Sequence, residues 1–231
     1  MAGVKGQVLG IPPLWMLGGA FALFIGFLLF IGFTSWFSTA LFSQCWKTQV
    51  DAADSLLTFN GEIIPEAGLV LKDCLKEIVI GDNTKDPETG SLCARTCNSL
   101  LSGGNGLKVP VPEECIKACN KCGDRGIILL VPNIPELSIK NIISGGVDTF
   151  FRVYGDETIC KDTGYHFVAE RGADNGIDGL KLTPDKGNIA CLSAVTREGK
   201  VYVSVDGYAN SPFRTTDPEI LAKSVCRRGG V

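Results

Sequence analysis

The chain has a single histidine, two methionines, and no charged side chain anywhere in residues 6–46. Each shortage removes a class of explanation. One histidine, His166, cannot supply the histidine sets of most catalytic zinc sites. It stands in the strand-like segment 164–168, where a structural role is the expectation and general-base chemistry the rival. There is no Gly-x-Ser-x-Gly elbow, phosphate loop or dinucleotide fingerprint. The chain also lacks long runs of like charge: 22 basic and 25 acidic residues leave a net charge of −3. That excludes the basic stripe of a nucleic-acid binder and a polybasic membrane-binding surface. No residue is assigned a catalytic or cofactor-binding role, and the chain reads as a non-enzyme.

The uncharged stretch is itself a prediction. Residues 14–37 are apolar on every side, and a helix needs about 20 such residues to cross a bilayer. Trp15 and Trp36 lie near the two ends, where interfacial aromatics are expected, and the Pro12-Pro13 pair sets the start. The expected organisation is an inner stub at 1–13, a transmembrane helix at 14–38, a stalk helix at 39–61 and an exterior domain at 62–231. A cleaved signal peptide, with cleavage near Ser38-Thr39-Ala40, is the alternative.

Cysteine is what the chain has in plenty: all ten lie at residue 45 or beyond. That density suits an oxidising compartment, which places the N-terminus inside and the cysteine-bearing part outside a cell membrane. The most specific spacing is Cys93-x3-Cys97 followed by Cys115-x3-Cys119. On a helix, residues four apart share one face. Two such helices folded antiparallel set Cys93 opposite Cys119 and Cys97 opposite Cys115. Ser102-Gly103-Gly104-Asn105-Gly106 supplies the turn, and Pro112 with Glu113 and Glu114 opens the second helix. The remaining six cysteines allow fifteen pairings; the expected set is Cys160–Cys191, Cys74–Cys122 and Cys45–Cys226. A rival reading makes Cys115, Cys119 and Cys122 a thiolate set for metal or redox chemistry.

Elsewhere the pattern is mostly β. Strands are expected at 69–71, 75–80, 126–131, 147–154, 165–169, 189–196 and 200–206, with a turn at 81–83. Residues 197–199 form a hairpin loop, and a capping box at 216–219 opens a last helix that runs to about residue 225. The fold class is therefore α+β: a mostly antiparallel exterior sheet carrying a disulfide-stapled helical hairpin at about 88–122. Asp174 and Asp178, with Gly179 after them, sit at calcium-loop positions one, five and six, but Gly176 holds position three and Asp185 position twelve. These two aspartates are the calcium candidates, and an ordinary turn is the alternative.

Two resemblances follow. The twin Cys-x3-Cys pattern resembles the helical hairpins of small intermembrane-space chaperones over about 30 residues, as a stapling device. Lys5-Gly6-Gln7 ahead of an apolar run resembles the start of archaeal pilin-like precursors. The plan of short basic start, single span and Cys-rich β exterior looks like single-pass envelope proteins of archaea. This resemblance implies a structural or interaction component of a cell-envelope or surface assembly. The expected partners are the lipid bilayer and other envelope proteins, with self-association open. The rival functions are a ligand-binding or adhesion module, calcium-dependent through Asp174 and Asp178, and a thiol-redox or metal protein.

Overall fold

The computed structural model describes residues 13–88, 90–99, 113–133, 160–170, 175–176, 179–212 and 214–227, with side chains in the first 40 residues given for Gly19 and 21–29. The chain divides into two compact units, Met1–Gln44 and Cys45–Val231. The expected strand at 147–154, the turn at 102–106, Pro112, and the calcium candidates Asp174 and Asp178 lie outside the described residues.

Helix α1 runs Pro13–Ser55. Among the described residues, no helix is long and apolar enough to cross a membrane. This overturns the expected span at 14–38 and the single-pass membrane placement built on it. The side chains described in that segment are those of Gly19 and residues 21–29. Within that run Phe21, Leu23, Phe24, Ile25, Phe27, Leu28 and Leu29 are all exposed, between 41% and 78%.

The stalk also ends earlier than expected, at Ser55 instead of about residue 61. Leu57 bridges to Ile63, and Thr58 N–H donates to Glu62 O, so residues 57–63 turn back as a small hairpin. Burial makes the choice: Trp46, Ala52 and Ala53 near the end of α1, and Leu56 just beyond it, are all nearly inaccessible. Continuing the helix would have carried Ile63 away from that core.

The second unit holds two sheets. The first has strand order β1-β8-β9-β5, from β1 (Glu66–Val70), β5 (His166–Ala169), β8 (Ile189–Arg197) and β9 (Lys200–Ala209). The second has order β4-β3-β2-β7-β6, from β2 (Leu75–Asp82), β3 (Gly126–Pro132), β4 (Lys161–Asp162), β6 (Asn175–Gly176) and β7 (Gly179–Leu182). All pairings are antiparallel except β5 with β9, which makes the first sheet mixed. The sheets meet where β5 packs on β2, β3 and β7. Strand β3 is buried along its whole length, as a continuous apolar run flanked by β2 and β4 should be. Strand β2 continues through Asp82, past the expected turn at 81–83, because Gly81 and Asp82 still pair with Ile127 and Gly126.

Strands β8 and β9 are joined by two residues, Glu198 and Gly199, with φ of 51° and 74°. Arg197 pairs directly with Lys200. The loop is thus one residue shorter than expected, because two consecutive positive φ values match the twist of the flanking strands. At the C-terminus Asp217 caps Pro218–Leu221, its carboxylate accepting from the N–H groups of Glu219 and Ile220. One π-helical turn, Ala222–Cys226, follows.

A buried amide knits the end of α1 to the first sheet. Gln49 is fully buried; its Nε2 donates to Val70 O at 2.7 Å, and its Oε1 accepts from Lys72 N–H at 3.0 Å. That clamps the end of α1 to the end of β1. Replacing Gln49 with Ala strands a buried carbonyl and a backbone N–H. The expected loss is about 1–3 kcal/mol, read as a lowered midpoint in urea unfolding with an unchanged slope.

A six-cysteine cluster as the candidate functional site

All ten cysteines are paired. Cys93 is bonded to Cys119 and Cys97 to Cys115, the two pairs drawn from helical spacing, with Cα–Cα distances of 5.6 and 6.0 Å. Helices α2 (Leu92–Ser99) and α3 (Glu113–Cys119) present these sulfurs to one another, and all four cysteines are buried.

The other three pairs differ from expectation. Cys45 joins Cys74, Cys122 joins Cys160 and Cys191 joins Cys226, in place of Cys45–Cys226, Cys74–Cys122 and Cys160–Cys191. Each difference has a packing cause. Trp46 and Gln49 bring the end of α1 to the β1 terminus, within reach of Cys74. The pairing of β4 with β3 carries Cys160 to the base of the hairpin. The last helix lies on β1 and β8 through Val70, Ile189, Leu221 and Val225, which brings Cys226 to Cys191.

Cys160 therefore makes the hairpin a cluster of six sulfurs. Cys122 Sγ lies 3.6 Å and Cys160 Sγ 3.7 Å from Cys93 Sγ, and Cys97 Sγ lies 3.3 Å from Cys119 Sγ. The sulfurs of Cys93, Cys97 and Cys119 fall within 4.8 Å of one another, as do those of Cys93, Cys122 and Cys160. Such spacing is compatible with metal ligation by thiolates. In the paired state, however, Cys115, Cys119 and Cys122 are each held in a disulfide and offer no thiolate. Cys122 and Cys160 are half-buried, so the cluster has one end near solvent and one end sealed.

Asn83 fixes the cluster to the second sheet. It is buried, its Nδ2 donates to Gly123 O at 2.7 Å, and its Oδ1 accepts from Cys93 N–H at 3.0 Å. That second bond satisfies one of the free N–H groups at the start of α2, while the Ser91 hydroxyl accepts another from Ala94. Spacing rules give no signal for Asn83, because its partners lie 10 and 40 residues away.

His166 does not join the cysteines. Its Nδ1 lies 2.7 Å from Asp82 Oδ2, on the exposed side of β5. Asp82 also accepts from the hydroxyl and the N–H of Thr84. Partial burial pushes the Asp82 carboxyl upward, but the Thr84 bonds and the neighbouring His166 outweigh it, so its pKa falls below the ordinary value of 3.8. The Thr84 hydroxyl donates to the carboxylate, not to the imidazole, so the three residues do not form a nucleophile–base–acid line. A depressed folded pKa contributes stability above the unfolded pKa, and that contribution is lost as pH falls through the folded value. Below about pH 4 the wild type should therefore lose stability more steeply than Asp82→Asn, as judged by thermal unfolding across a pH series.

Compared with known proteins, the chain matches no protein family, no curated protein and no solved structure.

Proposed function

We propose that this chain is a non-enzymatic structural or interaction component of a larger assembly, working where thiols are oxidised. The pairing of all ten cysteines carries the reading, since five disulfides tie together segments that share little local structure. The exposed run at 21–29 supports association. Seven large apolar side chains in nine residues form a surface of the kind that is covered in use.

The test is sedimentation of the chain isolated from its native source under non-reducing conditions. Association predicts a species heavier than the 24.6 kDa monomer, and a return toward monomer when Leu23, Phe24, Phe27 and Leu28 are replaced by Ser. A wild-type monomer with residues 21–29 freely accessible to protease would overturn the reading.

A further inference from the structure

We propose that the six-cysteine cluster conducts thiol–disulfide exchange from its half-buried end to its sealed end. The non-bonded sulfur contacts are what carry this. Cys122 lies 3.6 Å from Cys93, and Cys119 lies 3.3 Å from Cys97. Each contact links one disulfide to the next, so the six sulfurs run in one line: Cys160–Cys122, then Cys93–Cys119, then Cys97–Cys115. Exchange requires a thiolate to reach a disulfide sulfur, and contacts at this range need only small side-chain movement.

The sequence of bonds balances. A dithiol reductant attacks Cys160 Sγ, and the bond to Cys122 breaks to release the Cys122 thiolate. The second thiol of the reductant then displaces Cys160, which takes a proton, and the reductant leaves as its own disulfide after giving two electrons. The Cys122 thiolate attacks Cys93 Sγ, forming Cys93–Cys122 and releasing the Cys119 thiolate. That thiolate attacks Cys97 Sγ, forming Cys97–Cys119 and releasing Cys115, which takes the second proton. The chain goes from five disulfides to four, with thiols at Cys160 and Cys115. The contact of Cys160 with Cys93 at 3.7 Å permits the same transfer with the roles of Cys122 and Cys160 exchanged.

Cys45–Cys74 and Cys191–Cys226 stand outside this line and serve as internal controls. The buried Cys97–Cys115 bond would thereby be opened, with Cys115 left as a thiol, without a reductant ever touching it. This inference is independent of the assembly role proposed above: a monomer could conduct exchange, and an assembly component could fail to.

The full-length native chain is treated with limiting dithiothreitol, quenched in acid, alkylated, and peptide-mapped without further reduction. The expected two-thiol species carries label on Cys115 and on Cys160 or Cys122, with Cys97 unlabelled and bonded to Cys119. The variant Cys122→Ser/Cys160→Ser should show several-fold slower appearance of label on Cys115. Label confined to Cys122 and Cys160 means local reduction only and overturns the proposal. So does joint labelling of Cys97 and Cys115, or reduction of all three pairs with no two-thiol species. The wild-type map decides the matter even if the double variant does not fold.

Discussion

Cys191→Ser/Cys226→Ser should lose about 4 kcal/mol of stability, the chain-entropy value for a disulfide closing a loop of this length. The bond spans 35 residues and holds the last helix against the first sheet. Packing alone there is thin: Val70, Ile189, Leu221 and Val225, with Ala209 and Cys226 at its margin. The fit is also close. A methyl at Gly68 would come within 2.5 Å of Leu221 Cβ and 3.1 Å of its carbonyl carbon, so the helix backbone passes directly over β1. With the bond gone, residues 218–226 should detach while the second sheet persists. Chemical denaturation would show the lower midpoint, and amide exchange would show early loss of protection at Leu221, Ala222 and Val225. Unchanged stability would mean that the apolar patch suffices without the bond.

Ile128→Ala should cost about 2–5 kcal/mol, the range for truncating a fully buried aliphatic side chain. Ile128 is inaccessible, and its backbone pairs with Ile80 on one side and Lys161 on the other. The neighbours of β3 cannot easily collapse into the gap, because β2 beside it is held by β7 on its far edge. The loss should appear as a lower denaturation midpoint, with all five disulfides still mapped as in the wild type. A loss below about 1 kcal/mol would imply that the strand is much less tightly enclosed than its burial indicates.

Local patterns read well wherever neighbours in sequence are also neighbours in space. Residues 126–131 announce a buried strand because an unbroken aliphatic run offers no solvent face, and β3 is buried throughout. Residues 200–206 alternate because one face is buried: Val201 and Val203 point inward, but Val205, beside the bulge in β8, is only half-buried. The capping box at 216–219 marks a helix start, but the cap falls one residue later than that box implies, on Asp217, whose carboxylate accepts from the N–H groups of Glu219 and Ile220. The twin Cys-x3-Cys spacing yields Cys93–Cys119 and Cys97–Cys115 because helical periodicity alone places those sulfurs.

Other features depend on which surfaces meet. Asp82 and His166 are 84 residues apart, and nothing in either segment calls for the other. Gln49 reads as an ordinary helix-surface residue until its amide is seen closing the end of β1. The apolar run at 14–38 predicts a membrane span, whereas among the described residues no helix is long and apolar enough to cross a membrane.

The amino-acid sequence by itself determined the strand periods, the oxidised character of the chain and the two staples of the hairpin. Each of these is set by dihedral preference, side-chain spacing or thiol chemistry over a few residues. Only the tertiary structure decided the partners of Cys45, Cys122 and Cys191, the parallel pairing of β5 with β9, and the line of six sulfurs. The physical reason is that a disulfide or sheet pairing joins whatever packing brings within a few ångströms. Packing is a property of whole apolar faces, and no local spacing encodes it.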